Sequence, residues 1–166
     1  VSAASGLSLS AADNIKSKQY STKHWLLNKG VYLLMNNRSQ TLQDARVRQA
    51  LRYATDTSSI RATVGDNVAR LDTPILQSQI AQKLPAAPDY NLDKAKALLK
   101  EAGWTYNQGQ WKGKDGRPLA VAVTTSSGRD EYKKIVDALK QQWSKLGVDV
   151  QLREIDTSST TTSFVQ

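Results

Sequence analysis

The sequence predicts a single α/β domain, and three observations carry that prediction. Tyr132, Ile135, Val136, Leu139, Trp143 and Leu146 repeat at helical spacing over four turns, and Gly147 closes the run. Alternating apolar stretches lie on either side, Leu119, Val121 and Val123 before it and Val148, Val150 and Leu152 after it. Strand, helix, strand in that order is a βαβ unit, which places the two strands parallel with a right-handed crossover. Finally, 166 residues can bury one good core, and no stretch approaches the roughly 18 unbroken apolar residues of a membrane-spanning helix. The domain is expected to be soluble.

Taken in order, residues 1–18 show no sustained period and read as a lead-in segment or loose strand. Gln19 to Leu27 and Val31 to Asn36 look extended on either side of Asn28-Lys29-Gly30, which predicts a β-hairpin. Gln43 to Thr55 looks helical, because Val47, Ala50, Leu51 and Ala54 share one face while Arg46, Arg48, Gln49 and Arg52 mostly take the others. Asp56 can cap a second short helix over Ser58 to Val64, with Gly65 as its stop. Asp66 to Asp89 holds three of the four prolines and no period, so it reads as a long loop.

Asn91 can cap a helix with Ala95, Leu98, Leu99 and Ala102 on its apolar face, ended by Gly103. Trp111 to Val123 reads as a hairpin turning at Lys114-Asp115-Gly116. Ala120 and Ala122 alternate with Leu119, Val121 and Val123, so both faces of that strand are apolar and a strand covered on both sides is expected. The Ser/Thr run over 157–162 has no core pattern and is expected to be loose. No internal repeat is visible.

Composition excludes several classes. There is no cysteine, which removes disulfides, thiolate metal sites and cysteine nucleophiles together. The opening Val1-Ser-Ala-Ala-Ser-Gly lacks a basic region followed by an apolar one, so if the protein is exported its signal is expected to lie outside this chain. The net charge of +8 raises nucleic acid as a partner. Against it, no run of five or six like charges and no interleaving of aromatic and basic residues occurs. A solvated basic surface is the preferred reading, with a basic nucleic-acid-binding domain as the alternative.

Reactive chemistry is sparse. His24 is the only histidine, and alone it cannot build a usual zinc site. No dinucleotide or phosphate loop, nucleophile elbow or zinc-protease motif is present, so no cofactor, no metal and no catalytic residue is assigned. Asp130 and Glu131 open the long helix, where negative side chains suit the helix dipole. Asp66 and Asp72 lack calcium-loop spacing. Arg46, Arg48 and Arg52 could meet an anion but fall on a solvated helix face. Of the four tryptophans, Trp143, Trp104 and Trp111 are best explained by packing, and Trp25 alternates into the first predicted strand.

The run Leu42-Gln-Asp-Ala-Arg-Val-Arg-Gln-Ala-Leu-Arg-Tyr-Ala-Thr-Asp56 resembles the signature D-x-R-V-R-Q-A-L-x-Y-A-x-D of the peptide/nickel family of solute-binding proteins. Val31-Tyr-Leu-Leu-Met-Asn36 before it is similar to that family's strand ending in a hydrophobe and Asn. Thr73-Pro74-Ile75 stands where the family has G-x-P-x-P. Tyr90-Asn-Leu-Asp-Lys-Ala-Lys-Ala-Leu-Leu-Lys-Glu-Ala-Gly-Trp104 is similar to Y-D-P-x-K-A-K-A-L-L-x-E-A-G-W, with Asn91 and Leu92 replacing the usual Asp and Pro. Gly116-Arg-Pro-Leu119, the strand that follows and Gln141-x-x-x-x-Leu-Gly-Val-Asp-Val150 continue in the family's order. The motifs span 31–156; the first 30 residues and the Ser/Thr tail match poorly.

The resemblance implies one lobe of a two-lobed, periplasmic-binding-protein-like (type II) fold, with a mixed sheet and flanking helices. It implies capture of a peptide or other small solute, shared with the other lobe, for the permease subunits of an ABC importer. An extracytoplasmic location, lipid-anchored in the full-length protein, follows from the same resemblance. The expected organisation is a lead-in and hairpin start over 1–30, the lobe over 31–156 and the tail over 157–166, as part of a longer chain. The acidic residue that often receives a peptide's amino terminus would come from the later part of that chain. Asn36 and Asn37 are the candidate ligand-facing residues, Asn36 alternatively tying down a neighbouring loop; Arg48 and Asp56 are read as structural. A monomer that binds no nucleic acid is expected. A free-standing interaction or sensor domain with the same fold is the other alternative, and nickel chelates, haem and oligosaccharides stay open as solutes.

Overall fold

The computed structural model describes residues 15, 20–21, 30–65, 69–75 and 79–156. The chain divides into two units, 1–31 and 32–166, and the second carries every helix and strand described below. His24, Trp25, Asp66, most of the first run and turn of the predicted hairpin and the Ser/Thr tail lie outside the described residues.

Helix α1, Ala45–Tyr53, starts where Asp44 accepts a hydrogen bond from the Arg46 amide, and Arg52 stands in its last turn. Its predicted apolar face is the buried one, with Val47, Ala50, Leu51 and Ala54 all in the core. Helix α2, Thr57–Val64, is capped by Asp56, whose carboxylate accepts from the Ser58 and Ser59 amides at 3.0 and 3.1 Å. The described residues of the 66–89 stretch carry neither α-helix nor strand. Helix α3, Leu92–Glu101, is capped by Asn91 and buries Ala95 and Leu99. It packs on α1, and the Asn91 amide donates to the Tyr53 carbonyl at 2.8 Å, so the start of α3 is fixed to the end of α1.

Strands β1, Thr105–Asn107, and β2, Gln110–Lys112, pair antiparallel. This hairpin is absent from the sequence reading, which placed one further along. The predicted turn at Lys114-Asp115-Gly116 does form, closed by the Gly113 amide on the Arg117 carbonyl at 2.9 Å. It reverses the chain only far enough for one bridge between Lys112 and Pro118. Strand β3, Ala120–Ser126, then leaves the hairpin and pairs parallel with β4, Asp149–Ile155, through Val121 opposite Val150 and Val123 opposite Leu152. The expected mixed sheet is present as two separate two-stranded sheets, one antiparallel and one parallel, linked by backbone hydrogen bonds from Trp111 through Leu119. The Trp111 carbonyl accepts from the Leu119 amide at 2.8 Å, and the Leu119 carbonyl accepts from Asp149 at 2.9 Å.

Helix α4, Asp130–Leu146, crosses between β3 and β4 and buries Leu139, Trp143 and Leu146. Gly147 ends it in the left-handed region at φ 96°. Two expectations are corrected. Val121 and Val123 are buried but Ala122 is exposed, so β3 is covered on one face only. Val31 to Asn36 forms no strand; a strand needs a partner backbone, and no described strand runs beside it. Leu34 is consequently 79% exposed.

Candidate functional site

Asn36 and Asn37 sit at the end of the extended segment, and both are exposed. The Asn36 side-chain Oδ1 accepts from the Arg38 amide at 2.9 Å, and its carbonyl accepts from Ser39 at 3.1 Å. Such a side-chain turn holds the backbone reversal locally. Asn36 therefore does tie down its own turn, through one acceptor. The chain then coils through Ser39, whose carbonyl accepts from Leu42 and Gln43 at 3.0 and 2.8 Å, and enters α1.

The signature arginines are occupied within the fold. Arg48 Nη1 donates to the Leu42 and Gln43 carbonyls at 2.7 and 2.8 Å, clamping the turn to the helix. Arg46 Nη2 meets Asp44 at 2.7 Å and its Nη1 donates to the Glu101 carbonyl at 2.7 Å, which joins the start of α1 to the end of α3. That hydrogen bond from Arg46 holds the Asp44 carboxyl below its ordinary value. Asp56 adds a second task to its capping: its amide donates to Gln142 Oε1 at 2.8 Å and its carbonyl accepts from Gln142 Nε2 at 3.2 Å. The motif thus positions elements, as read for Arg48 and Asp56, and offers an anion little that is uncommitted.

The long loop holds a residue that sequence reasoning missed. Arg70 donates to Asp72, Asp89 and the Ala87 carbonyl. The hydrogen bond from Arg70 also holds the Asp72 carboxyl below its ordinary value. The available signal was an Arg and an Asp two positions apart in a proline-bearing loop, which is too common to single out. Tyr32 Oη lies 3.5 Å from the Pro74 carbonyl oxygen, so this loop touches the segment that leads to Asn36.

The tryptophans are structural where described. Trp143 Nε1 donates to the Leu51 carbonyl and Thr55 hydroxyl, Trp111 Nε1 to the Leu146 carbonyl, and Trp104 is half-buried against the core. Asp130 and Glu131 occupy the first turn of α4. Among the described residues no three His, Cys, Asp or Glu side chains gather as a metal site. An open depression along α4, lined by Asp137, Lys140, Gln141, Ser144 and Lys145, is a solvated helix face and not an enclosure. No helix among the described residues is long and apolar enough to cross a membrane.

This scaffold matches known proteins. Residues 2–165 match the family described as bacterial extracellular solute-binding proteins, family 5 Middle, so the match extends on both sides of the motif span. The oligopeptide-binding protein OppA of Lactococcus lactis subsp. lactis (strain IL1403) is 30% identical over 138 residues, covering 80% of this chain and 23% of that protein. The structure of the oligopeptide-binding protein AppA from Bacillus subtilis, in complex with a nonapeptide, aligns with a TM-score of 0.64 at 26% identity, over 76% of this chain and 26% of that one. NikA from Brucella suis, in complex with Fe(III)-EDTA, aligns with a TM-score of 0.66 at 28% identity, over 76% of this chain and 26% of that one. The chain spans about a quarter of the length of these relatives. The OppA and AppA names describe binding proteins and not enzymes, and the fold is the type II lobe that the motifs implied. With the motifs in order and a match over nearly the whole length, the chain belongs to the bacterial extracellular solute-binding proteins of family 5.

Proposed function

We propose that the protein containing this chain captures a peptide or related small solute outside the cytoplasm and delivers it to the permease subunits of an ABC importer. The chain forms one lobe, over 31–156, and supplies one wall of the cleft. The observation that carries this reading is the family match over residues 2–165. The polar chemistry described above supports it, because the ordered Arg, Asp and Asn groups hold elements in place and none is arranged around a reacting atom.

Asn36 and Asn37 face the solute in this reading. An amide side chain offers both donor and acceptor, which suits a peptide backbone. Asn36 keeps its NH2 group for this while Oδ1 holds the turn. Peptide is the preferred solute because the Lactococcus and Bacillus relatives are named for oligopeptides.

The test is calorimetry on the full-length protein with three probes: a nonapeptide, a nickel(II)–histidine chelate and a tetrasaccharide. Binding of the nonapeptide alone is expected. Binding of the chelate or the sugar alone would move the solute class, and no binding of any would remove the solute-capture reading. Asn37→Ala is expected to weaken peptide binding by about tenfold, the loss of one net hydrogen bond. Unchanged affinity would take Asn37 off the wall.

A further inference from the structure

One side chain closes the long stretch between α2 and α3. Arg70 uses three nitrogens on three partners: Nε on Asp72 Oδ1 at 2.6 Å, Nη1 on Asp89 Oδ1 at 3.2 Å and Nη2 on the Ala87 carbonyl at 2.9 Å. Ala87 and Asp89 lie 17 and 19 positions further along the chain, so the guanidinium joins the two ends of the stretch. Chain loops whose ends meet in this way are compact units and frequently functional. The far end is anchored independently, by the Asn91 amide on the Tyr53 carbonyl at 2.8 Å. The near end reaches Tyr32 through the 3.5 Å approach of its hydroxyl to the Pro74 carbonyl.

A planar guanidinium spreads its donors over three nitrogens in a fixed fork, whereas a lysine ammonium carries its three donors on one atom. Arg70 is about one-third exposed, and exposed ion pairs add little to global stability. Its consequence is therefore local: it restricts the conformations open to the loop.

We propose that Arg70 is a positioning residue for solute binding, a clasp that holds residues 70–75 and 79–89 in place, with the near end beside the segment running from Tyr32 to Asn36 and Asn37. This rests on the solute-capture reading above. A solute that meets a preformed loop does not have to order it, and apparent affinity falls by whatever fraction of molecules has the loop released.

The experiment compares full-length wild type, Arg70→Ala and Arg70→Lys by hydrogen exchange, thermal melting and calorimetry with a nonapeptide. In Arg70→Ala the amides of 71–75 and 79–86 are expected to exchange at least about fivefold faster, with α1 and α4 unchanged. The melting temperature is expected to stay put while the dissociation constant rises by about three- to tenfold. Arg70→Lys is expected to behave like Arg70→Ala, since three donors on one nitrogen cannot span partners that the guanidinium meets from three separate nitrogens. Unchanged loop exchange would overturn the clasp. Faster loop exchange with unchanged affinity would overturn the positioning role, as would a melting temperature that falls with exchange raised everywhere. Wild type that binds no nonapeptide would sink the peptide reading, while the exchange comparison still decides whether Arg70 orders the loop.

Discussion

The indole N–H of Trp143 is shared between the Leu51 carbonyl at 3.1 Å and the Thr55 hydroxyl at 3.0 Å, and the ring around it is buried. The helical stripe made Trp143 readable as core, but its polar partners lie 88 and 92 positions away and no local pattern announces them. Trp143→Phe keeps most of the packing and removes the donor. The Thr55 hydroxyl still donates to the Leu51 carbonyl at 2.7 Å, so no acceptor is stranded, and we expect a loss of about 0.5–1.5 kcal/mol in urea unfolding, the net worth of one hydrogen bond; no measurable loss would mean the bond is replaced. Asp44 gives a pH-dependent counterpart. Arg46 holds its carboxyl below the ordinary 3.8, so the folded protein binds that proton less tightly than the unfolded chain. The stability it adds is whole above 3.8 and is lost as pH falls through the lower folded value. The difference in melting temperature between wild type and Asp44→Asn, measured from pH 7 downward, should therefore shrink in acid. A constant difference across that range would show that the carboxylate's charge adds nothing to stability and that folding does not lower its pKa.

At the level of elements, what could be read depended on how local the signal was. The helices were legible because caps and apolar periodicity sit within one or two turns: Asp56 and Asn91 cap the helices they precede as read, whereas Asp44, placed inside a helix starting at Gln43, is the cap of one that starts at Ala45. The β1–β2 hairpin was not, because its strands have three residues each and its turn is Gln108-Gly109, not Asn-Gly. Gln108 has φ 48° and Gly109 φ 83°, the pair of positive angles that a tight two-residue turn requires. A glutamine there is strained, so Gln108→Gly is expected to leave stability unchanged or raise it by up to about 1 kcal/mol; a clear loss would show that the glutamine makes a compensating contact. Gly147 was legible as a helix stop, but not its second constraint. A Cβ there would come within 2.8 Å of both the Gly109 carbonyl and the Tyr106 ring, so the end of α4 presses on the hairpin. Trp111 completes that junction by donating to the Leu146 carbonyl, one of the acceptors a helix end leaves open. Gly147→Ala should cost about 2 kcal/mol or more, from positive φ and the clash together, and near-neutral unfolding would mean the hairpin yields.

For the whole molecule, the family could be read from ordered motifs, whereas the solute-facing side chains could not, because in the proposed reading they belong to a cleft shared between two lobes and leave no mark on the periodicity of either. The net charge of +8 is the one global feature that points elsewhere. Arg46, Arg70 and Arg117 are each paired with a neighbouring aspartate, which leaves their charge locally compensated. Duplex DNA retained at low salt should therefore be released by physiological salt, since affinity that comes only from phosphate neutralisation falls steeply with salt; retention there would revive a nucleic-acid role. Solute binding by the chain alone follows a different argument. A two-lobed binder gains affinity when hinge closure buries the solute from both sides. In the proposed solute-capture reading this chain presents one wall, so a nonapeptide bound to it alone would stay half in water while it gives up its own conformational freedom. Calorimetry on residues 1–166 is accordingly expected to give a dissociation constant weaker than roughly 10 µM, or no heat at all. Tighter binding would mean that this lobe holds a complete subsite, and that closure adds retention and not recognition.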